Sequence, residues 1–187
     1  VASYVAERRP ILGGWATSSV GRMLNPLFPI PAITRAAKPR ANVKEIAQDE
    51  AISLVPGYLQ SYLAHPAWTE SDINWLFLMA SDNQAAGTLR FCAINDRTGS
   101  PSGFFCYYVR SNGIAEVLNI LAKAGMEKHA VDAMLLHLQD EGHVAAQGRV
   151  DPRYLNALSQ LSIMFFRLQA NVCVATANAD MLNVVQR

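Results

Sequence analysis

The sequence predicts an α/β protein: a central mixed β-sheet of about six to seven strands, with helices on both faces. Three observations predict it. Three β-rich runs follow one another between residues 88 and 122 with short turns between them, which is the pattern of an antiparallel meander. The segment 114–150 then reads strand, helix, strand, the pattern of a right-handed parallel crossover. The run "FFCYYV" puts Phe105 and Tyr107 on one face and Phe104, Cys106 and Tyr108 on the other. A strand apolar on both sides belongs in the middle of a covered sheet.

Residues 1–42 stand apart. They hold five of the nine prolines and lack periodicity over most of their length. Pro29 and Pro31 favour extended backbone. We read a linker or wrapping arm, with Trp15, Leu24, Leu27, Phe28 and Ile30 available to dock on the domain or on an N-terminal partner domain. Regular structure starts at Val43, where "VKEI" suits a short strand. Ser53 and Pro56 suit a helix start, and Val55, Tyr58, Leu59 and Tyr62 give that helix an apolar stripe ending before Pro66. Thr69 is a cap candidate with an acidic first turn behind it, and Ile73, Leu76, Phe77 and Ala80 predict a helix over about 70–80.

Two strands, 88–95 and 103–109, flank a turn rich in Gly, Ser, Pro and Asp, and "SNG" at 111–113 leads into a third, "IAEVLNILA". The next helix carries Val131, Met134, Leu135 and Leu138 on one stripe and stops at Gly142. "HVAAQGRV" is a short strand. Asp151 then caps a further helix with Pro152 in its first turn, and Tyr154, Leu158, Leu161 and Phe165 form its inner face. "NVCVATA" at 171–177 is the last strand.

Bulk properties narrow the function. The formal charge is +1 and no Lys/Arg run occurs, so nothing attracts nucleic acid at long range. No apolar run approaches the roughly 18 residues of a membrane span. Three cysteines, Cys92, Cys106 and Cys173, make no disulfide framework and read as buried thiols. With no signal peptide in view, we expect a cytoplasmic protein. The first residue is Val1 and the last run, "NVVQR", reads as an unfinished element, so we expect a piece of a longer chain, cut at both ends, with the 43–187 domain truncated at its C-terminal end.

Other chemistries find little footing. His129, His137 and His143 lie near Asp140 and Glu141, but H-x7-H-x5-H is no compact ligand motif, and His129 and His137 stand about 80° apart on a helix. We expect no metal, and we read His137 as a flanking surface residue. No nucleophile elbow G-x-S-x-G occurs. No cysteine stands in a pattern with a histidine, so a thiol nucleophile is not expected.

The stretches "SGFFCYYVRSNGIAEVLNILAKAGMEKHAVDAMLLHLQDEG" and "AAQGRVDPRYLNALSQL", set in the order β, α, α, β, β, β, α, β, α, β, resemble the GNAT superfamily of acyl-CoA N-acyltransferases. The resemblance covers about residues 43–180. It implies acetyl-CoA or another acyl-CoA as cofactor, and a small-molecule or peptide amine as acceptor. The acyl-CoA would lie at the 114–131 junction, along Leu118 and Ile120 and against Gly125, Lys128, His129 and Ala130.

In that family a loop Q/R-x-x-G-x-G/A offers backbone N–H groups to the pyrophosphate at a helix N-terminus. Here the matching stretch is "GMEKHA". Gly125 replaces Gln or Arg, Lys128 replaces the first loop glycine, and only Ala130 agrees. Glu127 adds a negative charge where phosphates are expected. The resemblance also implies Glu116 as general base and Tyr154 as general acid. With strict alternation Glu116 would share a face with Leu118 and Ile120, where burial raises a carboxyl pKa. Beside these roles stand plainer ones: an exposed strand residue for Glu116, and a core tyrosine with its hydroxyl at the rim for Tyr154. The degenerate loop leaves a second reading open, a non-catalytic GNAT-fold module serving as half of a larger or tandem protein.

Overall fold

The computed structural model describes residues 42–62 and 65–161. The arm at 1–41, Phe165, Cys173 and the strand expected at 171–177 lie outside them.

Five strands form one sheet in sequence order: β1 (Asn42–Ile46), β2 (Thr88–Asn95), β3 (Pro101–Val109), β4 (Ile114–Ala122) and β5 (Ala145–Gly148). β1 to β4 pair antiparallel, and β4 pairs with β5 in parallel. Helices α1 (Gln48–Leu59) and α2 (Glu70–Ser81) cover one face. α3 (Glu127–Asp140) and the short α4 (Leu155–Ser159) cover the other. This is the mixed α/β arrangement predicted from the sequence. The described strands number five, and the sixth predicted run lies beyond residue 161.

The pleat explains the two cores. Phe105 and Tyr107 join Cys92 and Ile94 against Ala130, Val131 and Met134 of α3. Phe104 and Cys106 join Phe91 and Ala93 against Val55 and Tyr58 of α1 and Ile73 of α2. Each large buried side chain contributes on the order of 2 kcal/mol, more than a typical net hydrogen bond at about 1 kcal/mol. Burial therefore decides the fold, and polar contacts fix details. Two tyrosines tie helices to β3: the Tyr58 hydroxyl donates to the Gly103 carbonyl at 3.2 Å, and the Tyr108 hydroxyl donates to the Ala80 carbonyl at 2.7 Å.

Local signals mostly act where expected. Thr69 and Asp72 form a capping box at α2: Thr69 N–H donates to the Asp72 carboxylate at 2.8 Å, and Asp72 N–H donates to Thr69 Oγ1 at 3.3 Å. Gly142, at φ +85°, ends α3. Its N–H donates to the Gln139 carbonyl and that of His143 to the Leu138 carbonyl, which makes a Schellman ending. Asp151 caps the 3₁₀ turn Pro152–Tyr154 by accepting from Arg153 N–H at 2.9 Å.

Two expectations need correction. α1 begins at Gln48, so Pro56 lies inside it and not at its start. The missing N–H removes one helical bond, but Ala51, Val55 and Tyr58 bury one face and outweigh that loss. β5 is also shorter than the predicted run, four residues against eight.

Candidate functional site

The site expected from the sequence lies where β4 leaves the sheet for α3. β4 is not regular there. Tyr107 pairs with Val117 and Cys106 with Asn119, so Leu118 has no opposite residue. This is a β-bulge. It inverts the alternation: Val117 and Ile120 both pack on the α3 side, whereas Glu116 lies opposite Tyr108, on the α1–α2 side. Glu116 and Ile120 therefore do not share a face, contrary to strict alternation. Register against β3 decides this, and a single strand's sequence does not reveal it.

The bulge coincides with a parting of strands. β4 and β5 pair only from Ile114↔Ala145 to Val117↔Gly148. From Leu118 onward β4 has no partner on that side among the described residues. A Cβ on Gly148 would lie 2.5 Å from the Val117 carbonyl oxygen, so a glycine lets the strands touch at the apex of the wedge.

α3 starts across this wedge. Lys123 to Met126 make a tight turn closed by Met126 N–H donating to the Lys123 carbonyl at 2.9 Å, with Gly125 at φ +81°. Positive φ at the third position is the type II signature and favours glycine. Ala130 N–H already donates to the Met126 carbonyl at 2.9 Å. The N–H groups of Glu127, Lys128 and His129 thus have no acceptor inside the helix. Ala130 is 1% exposed, and a Cβ on Gly103 would meet its methyl at 3.6 Å. Helix-to-sheet packing accounts for its small size.

The expected side chains have definite surroundings. Glu116 is ion-paired with Arg110, and both are about one third exposed. The carboxylate is thus half-solvated and partnered, not alone in an apolar site. Leu118 is exposed. Lys128 Nζ is held by Asp132 at 2.7 Å. His129 is half-buried and its Nε2 has no hydrogen-bond partner.

Tyr154 is 1% exposed. Its hydroxyl and that of Tyr62 are buried, and the two hydroxyls interact with each other. Burial and the adjacent Tyr62 push the Tyr154 phenol well above its ordinary range, and Arg153 offsets this only in part. A hollow of about 180 Å³ opens beside them, between Leu59, Tyr62 and Trp68 on one side and Asn119, Leu121 and Asp151 on the other. A larger open depression of about 370 Å³, around Gln84, Gly87 and Val109, lies away from the wedge and has no charged side chain in its lining.

Arg153 is the residue that sequence reading passed over. Its Nη2 lies 3.0 Å from Glu127 Oε1, its guanidinium sits 4.1 Å above the Tyr62 ring, and its Nη1 reaches Ser61 Oγ at 3.2 Å. It spans 92 residues to Ser61 and 26 to Glu127, and only the tertiary fold reveals such contacts.

His137 also differs from expectation. It is half-buried, with Nε2 3.7 Å from Cys92 Sγ and 3.5 Å from the Tyr107 hydroxyl, edge-on to Phe105. Burial pushes the Cys92 thiol up to about 12 and lowers the His137 pKa. The pair is neutral near pH 7, and a thiol so raised is no nucleophile. Among the described residues no three His, Cys, Asp or Glu side chains cluster as a metal site, and no helix is long and apolar enough to cross a membrane.

No family model matches the chain, and no curated protein matches it. Solved acetyltransferases are similar in structure at low identity. An acetyltransferase of Trypanosoma brucei aligns with TM-score 0.47 and 12% identity, over 72% of this chain and 99% of that one. Glucosamine-6-phosphate N-acetyltransferase from Arabidopsis thaliana aligns with TM-score 0.47 and 10% identity, over 72% and 99%. An aminoglycoside acetyltransferase in complex with coenzyme A and kanamycin aligns with TM-score 0.45 and 17% identity, over 64% and 79%.

Proposed function

We propose that this chain is an acyl-CoA-dependent N-acyltransferase of the GNAT type, transferring an acyl group, acetyl in the simplest case, to an amine on a small molecule or peptide. The observation that carries this reading is the wedge. Pairing of β4 with β5 stops at Val117↔Gly148, next to the bulge at Leu118 and facing the start of α3. The open edge of β4 supplies peptide groups to an extended pantetheine arm along Leu118 and Ile120. The turn at Gly125 and the first-turn amides at Lys128 and His129 supply donors to a diphosphate.

In this reading the acceptor amine enters from the hollow beside Asn119 and Tyr62. Its nitrogen attacks the thioester carbon, Glu116 takes its proton, and the carbon–sulfur bond breaks. Tyr154 serves the leaving sulfur as a hydrogen-bond donor. Its raised pKa makes full proton transfer to a thiolate, whose ordinary pKa is near 8.5, unfavourable.

The test is a titration with acetyl-CoA, followed by calorimetry and by Tm. A ligand that binds the native state raises stability by about 2.7 kcal/mol at a hundred times its Kd. No heat and no shift at millimolar acetyl-CoA would overturn the proposal. Glu116→Gln is expected to keep the shift and to lower turnover about 10²-fold or more. Unchanged turnover removes Glu116 from the role.

A second reading is a non-catalytic GNAT-fold module, the partner half of a larger or tandem protein. The engagement of Glu127 with Arg153 and of Lys128 with Asp132 favours it, because two of the charges at the mouth are already paired. It predicts no response to acetyl-CoA.

A further inference from the structure

We propose that the outward face of α2 is the seat of this chain's own N-terminal arm, with the apolar run 23–30, MLNPLFPI, laid along it. The proposal does not depend on the acyl-CoA reading.

α2 has two apolar faces, and the sheet covers one. Residues 73–80, INWLFLMA, are apolar at seven of eight positions. Ile73, Phe77 and Ala80 turn toward the sheet: Ile73 is buried, the Phe77 ring lies 4.7 Å from that of Phe91, and the Ala80 carbonyl accepts from the Tyr108 hydroxyl. Trp75, Leu78 and Met79 follow at i, i+3, i+4 on the opposite side and are exposed, Trp75 by 60%. Trp68, seven residues before Trp75 and just outside the Thr69 cap, is exposed as well. Single exposed apolar side chains need no account, but a stripe of large ones marks a contact surface. A helix apolar all round is a helix that is covered all round.

Charge and reach select the arm as the cover. Residues 47–89 hold five Asp or Glu and no Lys or Arg, whereas residues 1–41 hold six Lys or Arg against Glu7, a net +5. The arm's apolar residues Leu24, Leu27, Phe28 and Ile30 lie between Arg22 and Arg35. Guanidinium groups suit both the carboxylates of Glu70 and Asp82 at the two ends of α2 and the faces of exposed indoles. The arm joins the fold at Asn42 in β1, six residues before Gln48, whose Nε2 donates to Asn74 Oδ1 of α2 at 3.0 Å. Asn42 thus lies within about 20 Å of α2. The chain from Ile30 to Asn42 reaches about 40 Å, twice the length of α2 at about 18 Å. A tethered segment meets its site at an effective concentration on the order of millimolar, above that of a free second copy. Residues 162–187 leave the fold after α4, on the other face of the sheet, and carry two Arg against Asp180, so they match the surface less well.

Hydroxyl-radical labelling of the whole chain, read at Trp75 and Met79 by peptide mass spectrometry, tests the proposal. Leu27→Asp combined with Phe28→Asp should raise labelling at both positions roughly tenfold over wild type. Arg22→Glu combined with Arg35→Glu should raise it by a smaller factor. Wild-type labelling should not change on dilution, because docking within one chain is independent of concentration. Equal labelling of wild type and the Leu27/Phe28 variant overturns the proposal. So does wild-type labelling that climbs on dilution, since a second copy then covers the face. The arm variants change no residue of either core, and far-UV circular dichroism checks the fold. Trp75→Glu tests the contact from the other side: labelling of Met23 and Phe28 should rise, and unchanged labelling there also overturns the proposal.

Discussion

Two glycines at the site do different work, and substitution separates them. At Gly125 an added Cβ meets nothing within 4 Å, but φ is +81°. At Gly148 no such φ applies, but the added Cβ would fall 2.5 Å from the Val117 carbonyl oxygen and 3.2 Å from its Cβ. Gly125→Ala should therefore cost about 1 kcal/mol, from left-handed backbone alone. Gly148→Ala should cost about 1–3 kcal/mol, since two strands must part to admit the methyl. Urea midpoints at equal m-values measure both, and a larger loss at Gly125 than at Gly148 contradicts the assignment. At this scale the sequence was partly legible. Thr69, Gly142 and Asp151 announce their caps because capping is local. Arg153 announces nothing, since its partners are made neighbours only by the fold.

Among the elements, α3 carries the most information about pH. Its stripe at Val131, Met134, Leu135 and Leu138 was readable from period alone, yet the same helix holds His137 against Cys92 and Tyr107. Burial lowers the His137 pKa, and Glu141 and Glu45 counter it only partly, with Arg90 lowering it and Asp140 raising it further along the same helix. Unfolded, the imidazole titrates near 6.5. On acidification the unfolded chain takes up the proton first. The contribution of His137 to stability is thus complete above about pH 6.5 and is lost as pH falls below it toward the folded value. Urea midpoints at pH 7.5 and 5.5 should fall more for the wild type than for His137→Leu; equal falls would exclude His137 as the source. The bulge at Leu118 belongs to this scale as well. Alternation along β4 predicts one face for Glu116 and Ile120, but pairing with β3 puts them on opposite faces. A strand's own residues do not encode where its neighbour skips.

Among the described residues two cores share one sheet, and β3 is buried on both sides because it is the middle one of the five described strands. That much followed from six apolar residues in a row. The wedge between β4 and β5 did not, because it depends on how far a pairing runs. The two cores are unequally covered. α3 buries Ala130, Val131, Ala133, Met134 and Leu138, whereas α2 buries only Ile73 and leaves Trp75 60% and Met79 50% exposed. Shared strands argue for one cooperative transition; the thin α2 layer argues for local opening on its side. The cysteines distinguish these outcomes, since Cys92 lies in the α3 core and Cys106 in the α1–α2 core. Both are buried, and burial pushes both thiols up to about 12, so neither reacts from the native state. Tyr58 and Tyr108 bridge α1 and α2 to β3 by hydrogen bonds, and opening α2 alone would strip Ile73 and Phe77 from the cluster around Phe104, in the middle strand. That cost exceeds what a 12-residue helix recovers by fraying. In a Cys173→Ser background, thiol labelling mapped by peptide should give Cys92 and Cys106 the same dependence on urea. Labelling of Cys106 at clearly lower urea would mean that the α1–α2 layer opens before the sheet does.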